Sequence, residues 1–368
     1  ALDGNRLVVG APGDDGFGNQ TSNAGAVYLL NFAGDAFANL ATRRLFGTGY
    51  DSGVSINVES DVGDGFGRAV ALDGIDLAIG APGDDGARDG RSNTGRVDVF
   101  ELAFNGAELK SQIGAGYQDN VTFILGSKGR PSSTRLNFSG IDTILRNGDA
   151  FGAAVALDGN RLAIGAAGDD GNRNFCAESG AVYLYSFQQG NFFNLKRSNH
   201  TIGSNYESVQ SFKGGARTTT GVSVDGVRFG DRFGSSIALD GDKLVVGAFG
   251  SDGRVRFQSL LTDERGPGGI SQGRDSGSVF LMTLAKENPL GRATLSGRLG
   301  LGWEGRFNPP SLQESSLIVR VGAGDAFGRS VALDGDTLIV GPPGADGFGP
   351  ATSGSGEVFR FTFAGDDY

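Results

Sequence analysis

A chain of 368 residues with 65 glycines, 26 phenylalanines and a formal charge of −10 holds enough apolar material for a packed core and no basic excess for nucleic acid or an anionic membrane. Its one cysteine, Cys176, excludes an internal disulfide, and no run approaches the roughly 18 apolar residues of a membrane span. The glycines lack the every-third-residue period of collagen and recur at turn positions, which points to folded structure rather than disorder. Ala1 does not open a signal peptide, so a secreted protein would carry its targeting signal outside these residues.

From its first residue the chain reads ALDG, then an apolar run over 7–12, a Gly/Asp turn, a second apolar run over 25–30 and a fourth-strand candidate over 37–50. The same sentence returns at Ala71, Ala156, Ala238 and Ala332. Its first apolar run recurs over 77–82, 162–167, 244–249 and 338–343, and its second over 95–100, 180–185, 277–282 and 356–361. Fourth-strand candidates recur over 108–117, 193–206 and 293–303. Four copies follow a Gly-Asp-x-Phe-Gly word, at Gly63, Gly148, Gly230 and Gly324. A period of roughly 70 to 95 residues means stacked or ringed supersecondary units.

The run SVALDGDTLIVG over 330–341 alternates into an Asp-Gly pair and out again, a strong hairpin signal. With Val358, Phe359, Phe361 and Phe363 as a half-buried third strand and the fourth-strand candidates after it, each unit holds four antiparallel strands, the content of a propeller blade. Between each fourth strand and the next unit lie further residues, as over 51–62 and 118–147, and the alternation over 54–58 and 121–125 predicts an extra strand or hairpin. No stretch shows a sustained helical period, so the fold class is all-β, a β-propeller of five four-stranded blades with one such insertion per blade. We read one domain over 1–368, with units at about 1–62, 63–147, 148–229, 230–323 and 324–368. The first unit lacks its opening strand and the last its fourth. A longer native chain, or another chain completing these edges, is therefore expected, and unpaired edges invite end-to-end joining. The units fit a five-bladed ring or consecutive blades of a larger one.

The string GDxFGxxVALDGxxLxVGAPGDDG…SGAVYLF resembles the FG-GAP repeat, the blade unit of integrin α-subunit propellers, in its bacterial surface-protein form. The resemblance covers all five units. It implies propeller blades in large extracellular proteins that serve adhesion or cell-surface structure. One departure stands out. Integrin-type blades carry a DxDxDG calcium loop between their first two strands, and here that loop is only LDGN, LDGI or LDGD, too short to wrap an ion seeking six to eight oxygens.

Four sets of residues are site candidates. In the second turn, Asp14 and Asp15, Asp84 and Asp85, and Asp169 and Asp170 can offer oxygens to Ca2+. Against this, Asp-Gly makes turns without any ion, and only the second acid recurs in all five units, as Asp15, Asp85, Asp170, Asp252 and Asp346, which favours a turn role. Tyr50, Tyr117, Tyr206 and Trp303 end the fourth strands, where rings either stack on sugars or pack between blades. Phe66, Phe151, Phe233 and Phe327 read as core, with Asp64, Asp149, Asp231 and Asp325 before them bonding turn amides. N-x-S/T sequons stand at Asn19, Asn120, Asn137 and Asn199, in segments read as loop or added hairpin.

Catalysis finds little support. His200 is the only histidine, falls in a variable loop and pairs with no nucleophile, and no zinc, phosphate-loop or dinucleotide motif occurs. The sequence therefore points to a non-catalytic extracellular or cell-surface protein, a surface or fibre-forming component. Its expected partners are copies of itself or other surface proteins, with no nucleic acid and no membrane insertion. It requires no cofactor. The alternative is a lectin-like propeller that binds glycans through Ca2+ or the aromatic positions.

Overall fold

Alternating apolar residues around each Asp-Gly pair form an antiparallel hairpin, as the pattern predicts. The computed structural model describes residues 1–33, 39–50, 55–87, 90–103, 106–117, 139–142, 145–188, 191–206, 210–213, 216–219, 221–252, 274–285, 293–301, 315–319, 321–346 and 354–363. In every hairpin the aspartate ends the first strand and the glycine opens a two-residue loop, with φ between 54° and 57° at Gly4, Gly74, Gly159, Gly241 and Gly335. Glycine enters that left-handed region without steric cost. Each aspartate carboxylate is thereby placed at a hairpin tip.

One sheet forms per repeat, and the sheets are numbered here as blades 1 to 5. Blade 1 runs Leu2–Asp3, Arg6–Ala11, Ala26–Phe32, Leu40–Gly47 and Ile56–Asn57. Blade 2 runs Ala69–Asp73, Asp76–Ala81, Arg96–Ala103, Gly106–Gly114 and Ser139–Asp142. Blade 3 runs Phe151–Asp158, Arg161–Ala166, Ala181–Gln188, Asn191–Gly203 and Gly221–Ser223, and a separate hairpin pairs Gln210–Lys213 with Ala216–Thr219. Blade 4 runs Ser236–Asp240, Lys243–Ala248, Ser278–Thr283, Thr294–Gly300 and Ser315–Ile318. Blade 5 shows Ser330–Asp334, Thr337–Gly341 and Phe359–Thr362 among the described residues. The protein is all-β, a five-blade β-propeller fold, and its only helical element among the described residues is the 3-10 turn Asn172–Asn174.

The expected insertion is a fifth strand, and in blades 1 to 4 it pairs parallel with the fourth. Alternation alone gives no direction, because side chains alternate in parallel and antiparallel strands alike. The run over 121–125 lies outside the described residues. Asn199 and His200, read as loop, stand on the strand Asn191–Gly203.

The chain divides into two compact units, residues 1–166 with 185–197 and residues 167–184 with 198–368. In the first, Val8, Val27, Leu29 and Phe46 of blade 1 form one core with Leu77, Ile79, Ala81 and Phe100 of blade 2. In the second, Val245, Val279, Leu281 and Leu299 of blade 4 meet Leu338, Val340, Phe359 and Phe361 of blade 5. In each of these two cores a trailing face, carrying Val8, Val27 and Leu29 in blade 1, meets the leading face of the next blade.

The recurring words join blades through the backbone. Gly63, Gly65 and Phe66 donate their amides to the carbonyls of Ser22, Asn23 and Ala24 of the preceding blade at 2.9–3.0 Å. The pattern repeats with Gly148, Ala150 and Phe151 on Ser92, Asn93 and Thr94, with Gly230, Arg232 and Phe233 on Ala177, Glu178 and Ser179, and with Gly324, Ala326 and Phe327 on Arg274, Asp275 and Ser276. The four phenylalanines are fully buried, each worth about 1.5–3 kcal/mol in apolar burial. The hairpin tips add a second link. Asp3 accepts the Gly74 amide at 3.0 Å, Asp73 accepts that of Gly159 at 2.6 Å, and Asp240 accepts that of Gly335.

Candidate functional site

The second turn of each blade holds the densest polar chemistry. Its second acid closes the turn onto a residue three to five positions before the third strand. Asp15 accepts the Asn23 amide at 2.8 Å, Asp85 that of Asn93 at 2.8 Å, Asp170 that of Glu178 at 2.9 Å and Asp346 that of Gly354 at 3.0 Å. Blade 4 keeps the bond across a longer excursion, from the Asp275 amide to Asp252 at 3.0 Å. Asn23, Asn93, Glu178 and Asp275 all sit in the left-handed region, φ 51–53°, and their carbonyls take the next blade's junction amide. A carboxylate that holds this strained residue therefore also aims the carbonyl that joins two blades.

The first acid meets the terminal tyrosine, so two candidate sets become one contact. Asp14 accepts the Gly16 amide and the Tyr50 hydroxyl, both at 2.9 Å. Asp84 accepts the Gly86 amide at 2.9 Å and the Tyr117 hydroxyl at 3.0 Å. Asp169 accepts the Gly171 amide and the Tyr206 hydroxyl at 2.7 Å and the Tyr183 hydroxyl at 2.8 Å. In blade 4 Ser251 replaces the acid and bonds Ser278 Oγ at 3.0 Å. There Trp303, which lies outside the described residues, replaces the tyrosine. Acid and phenol change together along the chain, as a bonded pair must.

These placements bear on two sets of candidates. The rings of Tyr117 and Tyr206 are buried, leaving no open face for a sugar, and only Tyr50 is half-buried, beside the exposed Phe17 with ring centres 6.1 Å apart. Burial and the Asp14 carboxylate push the Tyr50 hydroxyl up to about 12, so it remains a donor throughout the physiological range. Among the described residues no three His, Cys, Asp or Glu side chains converge to hold a metal ion, and the oxygens of Asp14, Asp84 and Asp169 accept amide and phenol protons instead. Chelator is accordingly expected to leave the melting temperature unchanged, and a fall of several degrees in EDTA would return Ca2+ to this turn. Of the sequons, Asn19 is exposed in a loop, whereas Asn120 and Asn137 lie outside the described residues.

One polar cluster escaped the motif reading. Blade 2 places Arg96 where blades 1, 3 and 4 have Ala26, Ala181 and Ser278, and Asp98 where they have Tyr28, Tyr183 and Phe280. Both charges are buried, at 4% and 1% exposure. The Arg96 guanidinium pairs with Asp84, reaches Asp98 at 3.1 Å and donates to the Glu59 carbonyl at 3.1 Å and Ser60 Oγ at 3.2 Å. Burial pushes the Asp98 carboxyl up, against the pull of Arg96 and Gln112. Two charges inside the apolar run GRVDVF were the signal, since a charge on a core-facing strand position needs a buried partner.

The Gly-Asp-x-Phe-Gly acids behave as turn caps. Asp64, Asp149, Asp231 and Asp325 accept the amides of Asp61, Arg146, Arg228 and Gly322 at 2.6–2.8 Å. Burial raises Asp64 to about 6 and Asp231 to about 7, outweighing these bonds. A carboxyl that binds its proton more tightly when folded adds stability that is full below the unfolded value near 3.8 and lost as pH rises through 6 to 7. The protein is expected to melt higher at pH 5 than at pH 8, by about 1–2 kcal/mol for each acid. Thermal scans at both pH values check this. Asp231→Asn, whose carbonyl can still accept the Arg228 amide, should flatten the difference, and a lower melting point at pH 5 would refute it.

The same words account for the likeness to known proteins. The FG-GAP repeat family matches at residues 59–100, 146–185, 223–259 and 321–361, one match in each of blades 2 to 5. The chain is an FG-GAP repeat protein. Blade 1, outside the matched residues, has the same tip and second-turn bonds as blade 2. No curated protein matches the chain. Among solved structures, a "putative 6-phosphogluconolactonase" from Bacteroides uniformis is similar at 9% identity and a TM-score of 0.40. The similarity covers 98% of this FG-GAP chain, which spans 65% of that protein's length. A likeness so slight says nothing of activity.

Proposed function

We propose that this FG-GAP protein is a non-catalytic structural or adhesion component of the extracellular space or cell surface, which associates with copies of itself or with other surface proteins. One observation carries the reading. The acids and tyrosines that a binding or catalytic site would draw on are bonded to one another and to turn amides, and the same bonds recur from blade to blade. Chemistry that repeats with the scaffold serves the scaffold, whereas an active site needs one asymmetric constellation. Net charge of −10 keeps such a scaffold soluble until its faces meet a partner. Electron microscopy of source cells labelled with an antibody to this protein tests the proposal. Label on surface layers or fibres is expected, and label confined to the cell interior would end it.

A second reading rests on Phe17 and Tyr50. Phe17 is 60% exposed and stands edge-on to Tyr50, an aromatic pair open to solvent in blade 1. Such a pair can stack on a sugar ring. A glycan array with wild-type protein and Phe17→Ala decides: binding abolished by the substitution supports it, and a blank array removes it.

A further inference from the structure

Inside blade 2 a carboxylate faces a carboxamide. Asp98 on the third strand pairs in register with Gln112 on the fourth, where blade 1 pairs Tyr28 with Leu45 and blade 4 pairs Phe280 with Arg298. Both side chains are buried, and Gln112 Nε2 donates to Asp98 Oδ1 at 3.1 Å. The other halves of the two groups, Asp98 Oδ2 and Gln112 Oε1, are buried as well, and neither meets a hydrogen-bond donor among the described residues. Two enclosed acceptors thus lack a proton between them, and each carries its desolvation cost unrelieved.

One proton answers both. With it on Oδ2, the acid donates to Gln112 Oε1 while Gln112 Nε2 donates to Oδ1, and the two groups close a ring of two hydrogen bonds. Protein atoms enclose both oxygens so closely that neither has space for a water molecule or a metal ion beside it, whereas a proton needs none. The charges around the pair agree. Arg96, on the same strand, is bonded to Asp84 of the second turn and lies 3.1 Å from Asp98, so two buried carboxylates share one guanidinium and leave one negative charge over. Burial holds the Tyr117 hydroxyl protonated, and the connector from blade 1 offers the Glu59 carbonyl and the Ser60 hydroxyl. Asp64, in the turn before blade 2, adds another acid to the field of Arg96 and Asp84.

We propose that Asp98 and Gln112 form a buried proton-binding site, in which Asp98 Oδ2 takes one proton from solvent on acidification and donates it to Gln112 Oε1, leaving the Arg96 charge to Asp84. The carboxylate passes from one negative charge to none, and the only covalent bond formed is O–H. Burial favours this protonated form, with Arg96 and Gln112 pulling the other way. A carboxyl that binds its proton more tightly folded than unfolded adds stability that is full below the unfolded value near 3.8 and lost as pH rises through the folded one. Arg96 also holds the Glu59 carbonyl and Ser60 Oγ of the connector, so the site acts on the junction of blades 1 and 2. That junction is firmer in acid and looser once Asp98 ionises.

Carbon-13 NMR of the side-chain carboxyls of the 1–368 protein, with Asp98 assigned through its own backbone, tests this between pH 8 and pH 4. Asp98 is expected to titrate above the ordinary carboxylate range. Infrared difference spectra over the same interval should show a protonated-carboxyl C=O band that is absent from Asp98→Asn and moves to higher wavenumber in Gln112→Leu, which removes the hydrogen-bonding partner. Asp98→Asn can make the same ring with Gln112 at any pH, so its melting point relative to wild type should rise as pH increases. Asp64 and Asp231 titrate in both proteins and cancel from that comparison. An Asp98 carboxyl with its midpoint at or below the ordinary range, or a band that Gln112→Leu leaves in place, overturns the proposal. Should Gln112→Leu fail to fold, the wild-type titration decides.

Discussion

Gly95→Ala is expected to destabilise the protein by about 2–5 kcal/mol, the sum of left-handed strain and overpacking. Gly95 has φ 89°, and a methyl group there would stand 2.0 Å from the Phe151 carbonyl oxygen and 2.4 Å from its nitrogen. Neither atom can yield cheaply. The Phe151 amide is bonded to the Thr94 carbonyl at 3.0 Å, and its ring is fully buried. Gly74→Ala is the control, since Gly74 has φ 55° with nothing within 4 Å of a built methyl. It should cost only about 1–2 kcal/mol, from the backbone strain alone. Urea melts of the two variants measure the difference. Equal losses would mean that conformation, and not the approach of two backbones, is what keeps the junction glycine.

Arg96→Met is expected to cost about 3–5 kcal/mol at neutral pH, because it leaves Asp84 and Asp98 buried without their cation. The sign of its pH dependence follows from the carboxylates. Burial already favours the protonated form of Asp98, and removing Arg96 takes away the pull toward the ionised form. Protonation then relieves the buried charge, so the deficit relative to wild type should shrink as pH falls from 8 to 5. Replacing Asp98 by Asn in the Arg96→Met background should recover part of the loss, since one of the two uncompensated charges goes. Urea melts at both pH values decide, and a deficit under 1 kcal/mol, or one that grows toward pH 5, would sink the account.

These two substitutions mark the limits of what the words alone disclose. The ALDG hairpins, the two apolar runs and the fourth strands were legible because period-two alternation between glycine turns has a local cause. The paired structure places Ser330–Asp334 on Thr337–Gly341 and Leu40–Gly47 beside Ala26–Phe32 accordingly. The recurring second acid was legible as a turn residue, and Asp15, Asp85, Asp170, Asp252 and Asp346 hold the turn. What the first acid does was not legible. Asp14 and Tyr50 lie 36 residues apart, and nothing in either local sequence marks the partner. Read separately, each set left two roles open, turn or ion for the acids and packing or sugar for the rings, and the fold bonds one set to the other.

The sequence by itself determined the blade: how many copies, where each hairpin turns, which residues alternate inward, and the family. All of that follows from local propensity and repetition. Tertiary structure alone decided what the glycine and aspartate words are for. Gly95 and Asp3 act on a neighbouring blade, through a backbone approach and a bond to Gly74 that span dozens of residues. Such contacts exist only once two sheets are packed. The same physics covers Ile79 with blade 1 and Val340 with blade 4, and both are fully buried. A face is apolar by sequence, but whether anything covers it is a property of the next blade.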